Sequence, residues 1–196
     1  VLLDRMIPDT DCDAVVTDSV NGSYNAVEEL FKRGHKRVGI ITGPESIYTS
    51  RERLKGYKRV HKDYNQQIDE NLIQYGDYDI QGGYENTLNL LELNPLPSAI
   101  FVTNYEMTVG SLMAINEKGI KIPDEISFIG FDNIMQMSQI INPSLSIVSQ
   151  PMEEIGETTA EILIKRLRGD NSNFPGIYRL KTEVLIKESV RDLRKF

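Results

Sequence analysis

The chain contains a single cysteine, Cys12, set between Asp11 and Asp13 in a polar stretch. One thiol excludes an intramolecular disulfide framework and a cysteine-pair metal site, and it fits a reducing, cytoplasmic compartment. No apolar run approaches the roughly twenty residues needed to cross a bilayer, and no signal-peptide pattern opens the sequence, so no membrane partner is expected. Positive charge is also in short supply: 22 Lys and Arg against 29 Asp and Glu leave a net charge of −7. A field of that sign argues against this segment gripping a phosphate backbone by itself, so any DNA binding is expected from another segment. A Gly-rich phosphate loop, a nucleophile elbow and a metal-ligand cluster are all missing. No catalytic residue, no metal and no cofactor is therefore predicted.

What is present is material for a core, since 40% of the 196 residues are apolar. Short runs rich in Val, Ile and Phe alternate with longer stretches of helical period, the pattern of βαβ units and a parallel sheet. The clearest strands are predicted at Arg37 to Thr42, Ala99 to Thr103 and Ile126 to Phe131. Shorter ones are expected at Val1 to Asp4 and Ala14 to Thr17, with a last alternating strand at Glu183 to Ser189. Because Val1 already lies within an apparent strand, an upstream part is expected.

Helical stripes recur every three or four positions: Tyr24, Val27, Leu30 and Phe31; Leu54, Tyr57, Val60 and Tyr64; Tyr84, Leu88 and Leu91; Met107, Ser111 and Ala114. Another is predicted over Met152, Ile155, Thr159, Ile162 and Leu163, with Pro151 in its first turn and Gly169 at its end. Gly34 and Lys118-Gly119 stop two helices, and Asn104 is placed to cap a third.

Open parallel sheets bind ligands beyond the carboxyl ends of their strands, where loops converge and helix N-termini point inward. Asp132, Asn104 and Asp4 each follow a predicted strand, and a carboxylate can accept hydrogen bonds from two adjacent hydroxyls side by side. The competing reading is that each caps a helix or a turn. His35, between a helix-ending glycine and a strand, has no acid or nucleophile at recognisable spacing and reads as structural. His61 lies beside the Tyr57 and Val60 stripe and reads as a packed helix residue.

Four segments, taken together, resemble the effector-binding region of the LacI-type bacterial transcription repressors. They are Val1-Leu2-Leu3-Asp4-Arg5, Gly34-His35-Lys36-Arg37-Val38-Gly39, the run from Ile122-Pro123-Asp124-Glu125 through Ile129-Gly130-Phe131-Asp132-Asn133, and Pro143-Ser144-Leu145 through Gln150-Pro151. Glu183 to Ser189 matches as well. The resemblance implies an α/β, periplasmic-binding-protein-like fold with two Rossmann-like lobes carrying parallel sheets, joined by three crossings. It implies a partial, incomplete N-terminal lobe from residues 1–18 and 150–180, and a C-terminal lobe from residues 19–149 and 181–196. It also implies a helix-turn-helix DNA-binding domain outside this chain.

The same resemblance assigns roles. Asp132 becomes the anchor of the ligand, with Asn104 and Asp4 beside it. Arg53 becomes a forked donor to ligand oxygens, Thr49 a hydroxyl contact one turn earlier and Tyr78 the stacking aromatic. Met152 and Gln150 fall where the returning crossover touches the ligand, although Met152 can equally be core. Arg51, two positions from Arg53, is left as a solvated surface charge. Tyr105 departs from the family, many members of which carry an aspartate there, so the effector cannot be copied from a relative. The implied partners are a small-molecule effector (sugar, sugar phosphate or nucleobase-like), operator DNA and a second copy of the chain. A homodimer is expected around Val109, Met135 and Ile140, because Met135, Met137, Ile140 and Ile141 form an apolar loop without an evident core partner. The function implied is a cytoplasmic repressor of carbohydrate-use genes that responds to its effector. The rivals are the sugar-binding receptor of a transporter and a flavodoxin-like or sugar-modifying enzyme.

Overall fold

The computed structural model describes residues 1–133 and 142–195. Nine strands and five α-helices occur among them: β1 (Leu2–Leu3), β2 (Ala14–Thr17), α1 (Ser19–Lys32), β3 (Val38–Thr42), α2 (Tyr48–Asp63), β4 (Ile73–Tyr75), α3 (Ile80–Leu91), β5 (Ala99–Val102), α4 (Tyr105–Glu117), β6 (Ser127–Phe131), β7 (Ser146–Ser149), α5 (Met152–Leu167), β8 (Ile177–Leu180) and β9 (Glu183–Leu185). They build two sheets, a six-stranded one ordered β4-β3-β5-β6-β7-β9 and a three-stranded one ordered β1-β2-β8. Every pairing is parallel except β7 with β9. The chain passes between the sheets at three places: β2 into α1, β7 into α5, and β8 into β9.

Strands β3, β5 and β6 are buried at every position, as expected for a parallel sheet covered on both faces. On one face Val27 and Leu30 of α1 meet Leu54, Tyr57 and Val60 of α2 over Ile40, Phe101 and Ile129. On the other, Leu90 of α3 and Met107 and Ile115 of α4 cover Ile41, Ile100 and Phe128. Glycines let the paired helices approach closely: a Cβ on Gly56 would lie 2.3 Å from the Val20 carbonyl oxygen, and one on Gly110 would lie 1.9 Å from that of Ile80. Both predicted histidine roles hold. His35 bridges Ser98 (3.1 Å) and the Arg191 carbonyl (3.0 Å), and His61 is buried with Nδ1 2.9 Å from the Tyr57 carbonyl. Burial pushes both imidazoles below their usual pKa.

Several expectations need correction. In α3 the fully buried stripe is Gly83, Thr87 and Leu90, one position away from Tyr84, Leu88 and Leu91, because α3 turns small residues toward α4. In α5 only Ile155 and Ile162 are buried; Leu163 is 47% exposed and Met152 60%, so the core reading of Met152 fails. In this chain α5 packs through Ile155 and Ile162 on Val15, Tyr178 and Leu180 of a three-stranded sheet. Pro151 caps α5 rather than entering its first turn. The last strand stops at Leu185, and Tyr64 lies just past the end of α2, 38% exposed.

The short sheet is tied to α5 by charge. Asp13 is 1% exposed, and Arg166 grips it with two bonds, Nε to Oδ2 at 2.8 Å and Nη2 to Oδ1 at 2.9 Å. The backbone N–H of Gly176 adds a third donor at 2.9 Å. The guanidinium and this N–H hold the Asp13 carboxyl below the ordinary carboxylate range.

Candidate ligand-binding site

Strands β1, β5 and β6 end on the same side, and the loops that leave them face the link from β7 into α5. Eight residues singled out by sequence, Asp4, Thr49, Arg53, Tyr78, Asn104, Asp132, Gln150 and Met152, line one cavity of about 390 Å³, together with Asn133. Asp4 and Met152 come from segments flanking the three-stranded sheet. The others, apart from Gln150 in the link itself, come from the loops and helix starts of the six-stranded one.

Asp132 sits at the centre. Its Oδ2 accepts from the backbone N–H of Tyr105 at the start of α4 (3.1 Å), and its Oδ1 accepts from the Gln150 amide. Arg53 approaches it with Nη2 at 3.9 Å. Arg53 is 3% exposed, stacks with Cζ 3.9 Å from the centre of the Phe131 ring, and donates through Nη1 to the Thr103 carbonyl. Its Nε has no protein partner among the described residues, and neither does Oε1 of Gln150. Asn133 fixes the crossover, accepting from Ser149 Oγ (2.8 Å) and the Gln150 N–H (3.1 Å) and donating to the Gln150 carbonyl (3.1 Å).

Three of these residues hold left-handed backbone without being glycine: Asp4 at φ 48°, Tyr78 at φ 63° and Asp132 at φ 86°. Each such conformation costs on the order of 1 kcal/mol or more and persists where the surrounding structure over-determines it. Tyr78 is held by its hydroxyl, 2.6 Å from Ser50 Oγ and 3.1 Å from Thr49 Oγ1. Its carbonyl accepts from Asn104 Nδ2 at 3.3 Å, while Asn104 Oδ1 caps α4 by accepting from the Met107 N–H at 3.0 Å. For Asn104 the capping role and the place at the cavity are thus both realised. Asp4 accepts weakly from the Thr17 hydroxyl (3.4 Å). Burial raises its pKa; nearby Arg53 opposes that shift and Asp132 adds to it.

Arg51 points away, donating to the carbonyls of Glu45 (3.0 Å) and Ser46 (2.8 Å). Tyr105 packs its side chain against the cluster under α3 and α4 and offers Asp132 its backbone N–H. Asn133 is the lining residue that sequence reasoning assigned no role. The signal available was its place directly after Asp132 in the matched run. Val109 lies on α4 beside a groove of about 770 Å³ lined by Leu112, Met113 and Leu145 together with Asn116, Lys121 and Asp124. Met135, Met137, Ile140 and Ile141 lie outside the described residues. Among the described residues no group of His, Cys, Asp and Glu is arranged to hold a metal ion, and no helix is long and apolar enough to cross a membrane.

Comparison with known proteins shows the family and the fold. A family model described as a periplasmic binding protein-like domain matches residues 27–190. The HTH-type transcriptional repressor PurR of Actinobacillus pleuropneumoniae serotype 3 is 32% identical over the whole chain, which spans 58% of that repressor's length. A regulatory protein of the LacI family from Chloroflexus aggregans superposes with a TM-score of 0.86 at 32% identity, over 96% of this chain and 67% of that one. A LacI family transcriptional regulator from Enterococcus faecium, solved with bound ribose, gives 0.85 at 29% identity over 95% and 68%. The chain belongs to the periplasmic binding protein-like domain family and is, within it, an effector-binding domain of the LacI type.

Proposed function

We propose that the cavity around Asp132 binds a neutral, polyhydroxylated effector, and that the chain reports this binding to operator DNA held by a segment outside these 196 residues. The observation that carries the proposal is a set of polar groups around one cavity: the Asp132 carboxylate, with Arg53 Nε and Gln150 Oε1, which have no partner among the described residues. A sugar presents hydroxyls that donate to the first and last and accept from the second. The Tyr78 ring supplies a surface for sugar C–H groups.

Charge refines the class. Two carboxylates, Asp4 and Asp132, stand against one guanidinium that already serves Thr103, Phe131 and Asp132. A phosphorylated sugar would bring a dianion into a site of net negative charge, which costs affinity. A free sugar meets no such penalty, and the Enterococcus faecium relative was solved with ribose.

In this reading the three-stranded and six-stranded sheets act as two lobes, residues 1–18 with 150–180 and residues 19–149 with 181–196, and the ligand bridges them through Asp4 and Met152 on one side and Asp132, Asn104 and Arg53 on the other. Ligand that binds the closed arrangement better shifts the population toward it. Coupling of about 1–3 kcal/mol changes operator occupancy several-fold or more. A homodimer through the apolar outer face of α4, with Val109 and the 54%-exposed Met113, would pair the DNA-binding segments. No chemistry is required of the site, and the protein acts in the cytoplasm as a regulator rather than an enzyme. Calorimetric titration of the intact protein with neutral sugars and their phosphate esters tests the ligand class. Binding of a neutral sugar without its phosphate ester is expected, and binding of the ester alone would overturn it.

A further inference from the structure

The outward face of α2 carries a stripe of one charge in an otherwise acidic chain. Arg51, Lys55, Lys58 and Lys62 follow one another at steps of three or four residues, Arg59 stands beside Lys58, and all five are exposed. Among the described residues Lys55, Lys58 and Lys62 have no carboxylate partner, while Arg59 pairs with Asp63 at 3.8 Å, donates to Asn21 Oδ1 at 3.2 Å and lies over the Tyr24 ring. Like charges four residues apart weaken a helix by a few tenths of a kcal/mol per pair, and Arg51–Lys55, Lys55–Arg59 and Lys58–Lys62 are three such pairs. The helix dipole favours Lys62 in the last turn, but it gives no such support to Arg51 and Lys55 nearer the start of α2.

It also borders a groove of about 640 Å³, whose floor is formed by Leu54, Gly43 and the 43%-exposed ring of Tyr75. Between positions 51 and 62 the helix rises about 16 Å, too long for one phosphate group and close to the span of five residues of extended chain. The one carboxylate among the lining residues, Glu45, accepts from the Tyr75 hydroxyl at 3.0 Å, and the apolar floor flanked by five cations fits a peptide that alternates acidic and apolar side chains. A nucleic-acid backbone would leave the floor unfilled and would meet the overall charge of −7.

We propose that this groove is a docking site for an acidic segment of a partner protein. It lies on the side of α2 away from Arg53, so it is separate from the effector cavity. Ser50, which lines the groove, hydrogen-bonds the hydroxyl of Tyr78, which lines the cavity, and gives the two a common wall.

The probe is a fluorescein-labelled Asp-Phe-Glu-Leu-Asp-Phe peptide, titrated by anisotropy into the intact protein at low salt. The triple variant Lys55→Glu, Lys58→Glu, Lys62→Glu is compared with a charge-matched control on other exposed positions, Lys36→Glu, Lys118→Glu, Lys165→Glu. The peptide is expected to bind wild type and the control alike, to lose about tenfold or more in affinity in the groove variant, and to weaken as salt rises. Equal weakening in the control would reduce the effect to net charge and overturn the proposal. So would undetectable peptide binding, or tighter binding of a single-stranded oligonucleotide of the same charge. Circular dichroism of each variant separates loss of docking from loss of fold.

Discussion

Replacing Asp132 by Asn changes one atom in the middle of the candidate site and leaves the backbone undisturbed. Asparagine tolerates the left-handed region, so the φ of 86° adds no new strain. The amide oxygen can keep the Tyr105 N–H, and its nitrogen then faces Gln150, whose own amide turns over to offer Oε1 in place of Nε2. Arg53 loses a carboxylate 3.9 Å away but keeps the Thr103 carbonyl and the Phe131 ring, so the cost to folding is held to about 1 kcal/mol. The ligand loses more. Two hydroxyls that donated to a charged acceptor now meet one neutral oxygen and one donor, while the reoriented Gln150 presents a donor where an acceptor stood. At about 1.5–3 kcal/mol for a charge-assisted bond, a net loss near 2–3 kcal/mol is expected. That corresponds to roughly 30- to 200-fold in Kd. Calorimetric titration of wild type and variant with the neutral sugar that wild type binds best reads this directly, with urea unfolding as the control for stability. An affinity within about threefold of wild type would refute the anchor role, and a variant that loses binding only because it unfolds would leave Asp132 a structural residue.

Asp4→Asn is expected to stabilise the apo chain at pH 7 by about 1 kcal/mol or less, since it removes a carboxylate that burial and Asp132 make costly to ionise. Because the folded pKa of Asp4 is raised, the wild-type penalty is present at neutral pH and fades as the pH falls through that value; a thermal melt series from pH 7 to pH 4 should show the two proteins converging. Asp13→Asn breaks the bidentate bridge to Arg166 at a 1%-exposed position and should cost about 3 kcal/mol in urea unfolding; a cost near zero would deny the clamp between α5 and the short sheet. His35 and His61 are both held neutral by burial, so their contribution to stability is complete above the unfolded value of about 6.5 and is lost as the pH falls below it through the folded pKa. Unfolding free energy measured from pH 7.5 to pH 5 should decline, and His35→Gln with His61→Gln should flatten the decline. Met113→Asp, at 54% exposure on the outer face of α4, should turn a dimer into monomers by sedimentation without lowering the melting temperature of the monomer.

The large sheet was readable because its strands are buried on both faces, so β3, β5 and β6 appear in the sequence as unbroken apolar runs flanked by turn residues. Strand β4, three residues long, and β8, with alternating exposure at a sheet edge, leave no such run and were missed. Helix α3 was found but rotated, because its contact with α4 is made by Gly83 rather than by the large residues that a periodicity argument follows. In α5 the apolar residues outnumber the buried ones of this chain: Ile155 and Ile162 pack on Val15, while Leu163, Ile164 and Leu167 are exposed. Strand-end position pointed to Asp132, Asn104 and Asp4, whereas Arg53, Thr49 and Tyr78 required the family resemblance. Nothing local distinguishes Arg53 from Arg51; only the fold turns one into the cavity and the other toward Glu45 and Ser46.

The most direct test of the central claim is a mobility-shift assay of the intact protein on the DNA upstream of its own gene, with and without the neutral sugar found by calorimetry. A specific shift is expected whose midpoint moves several-fold or more with the sugar, and in Asp132→Asn a shift that the sugar no longer moves. No specific DNA binding under any condition, or a wild-type shift that the bound sugar leaves unchanged, would contradict it.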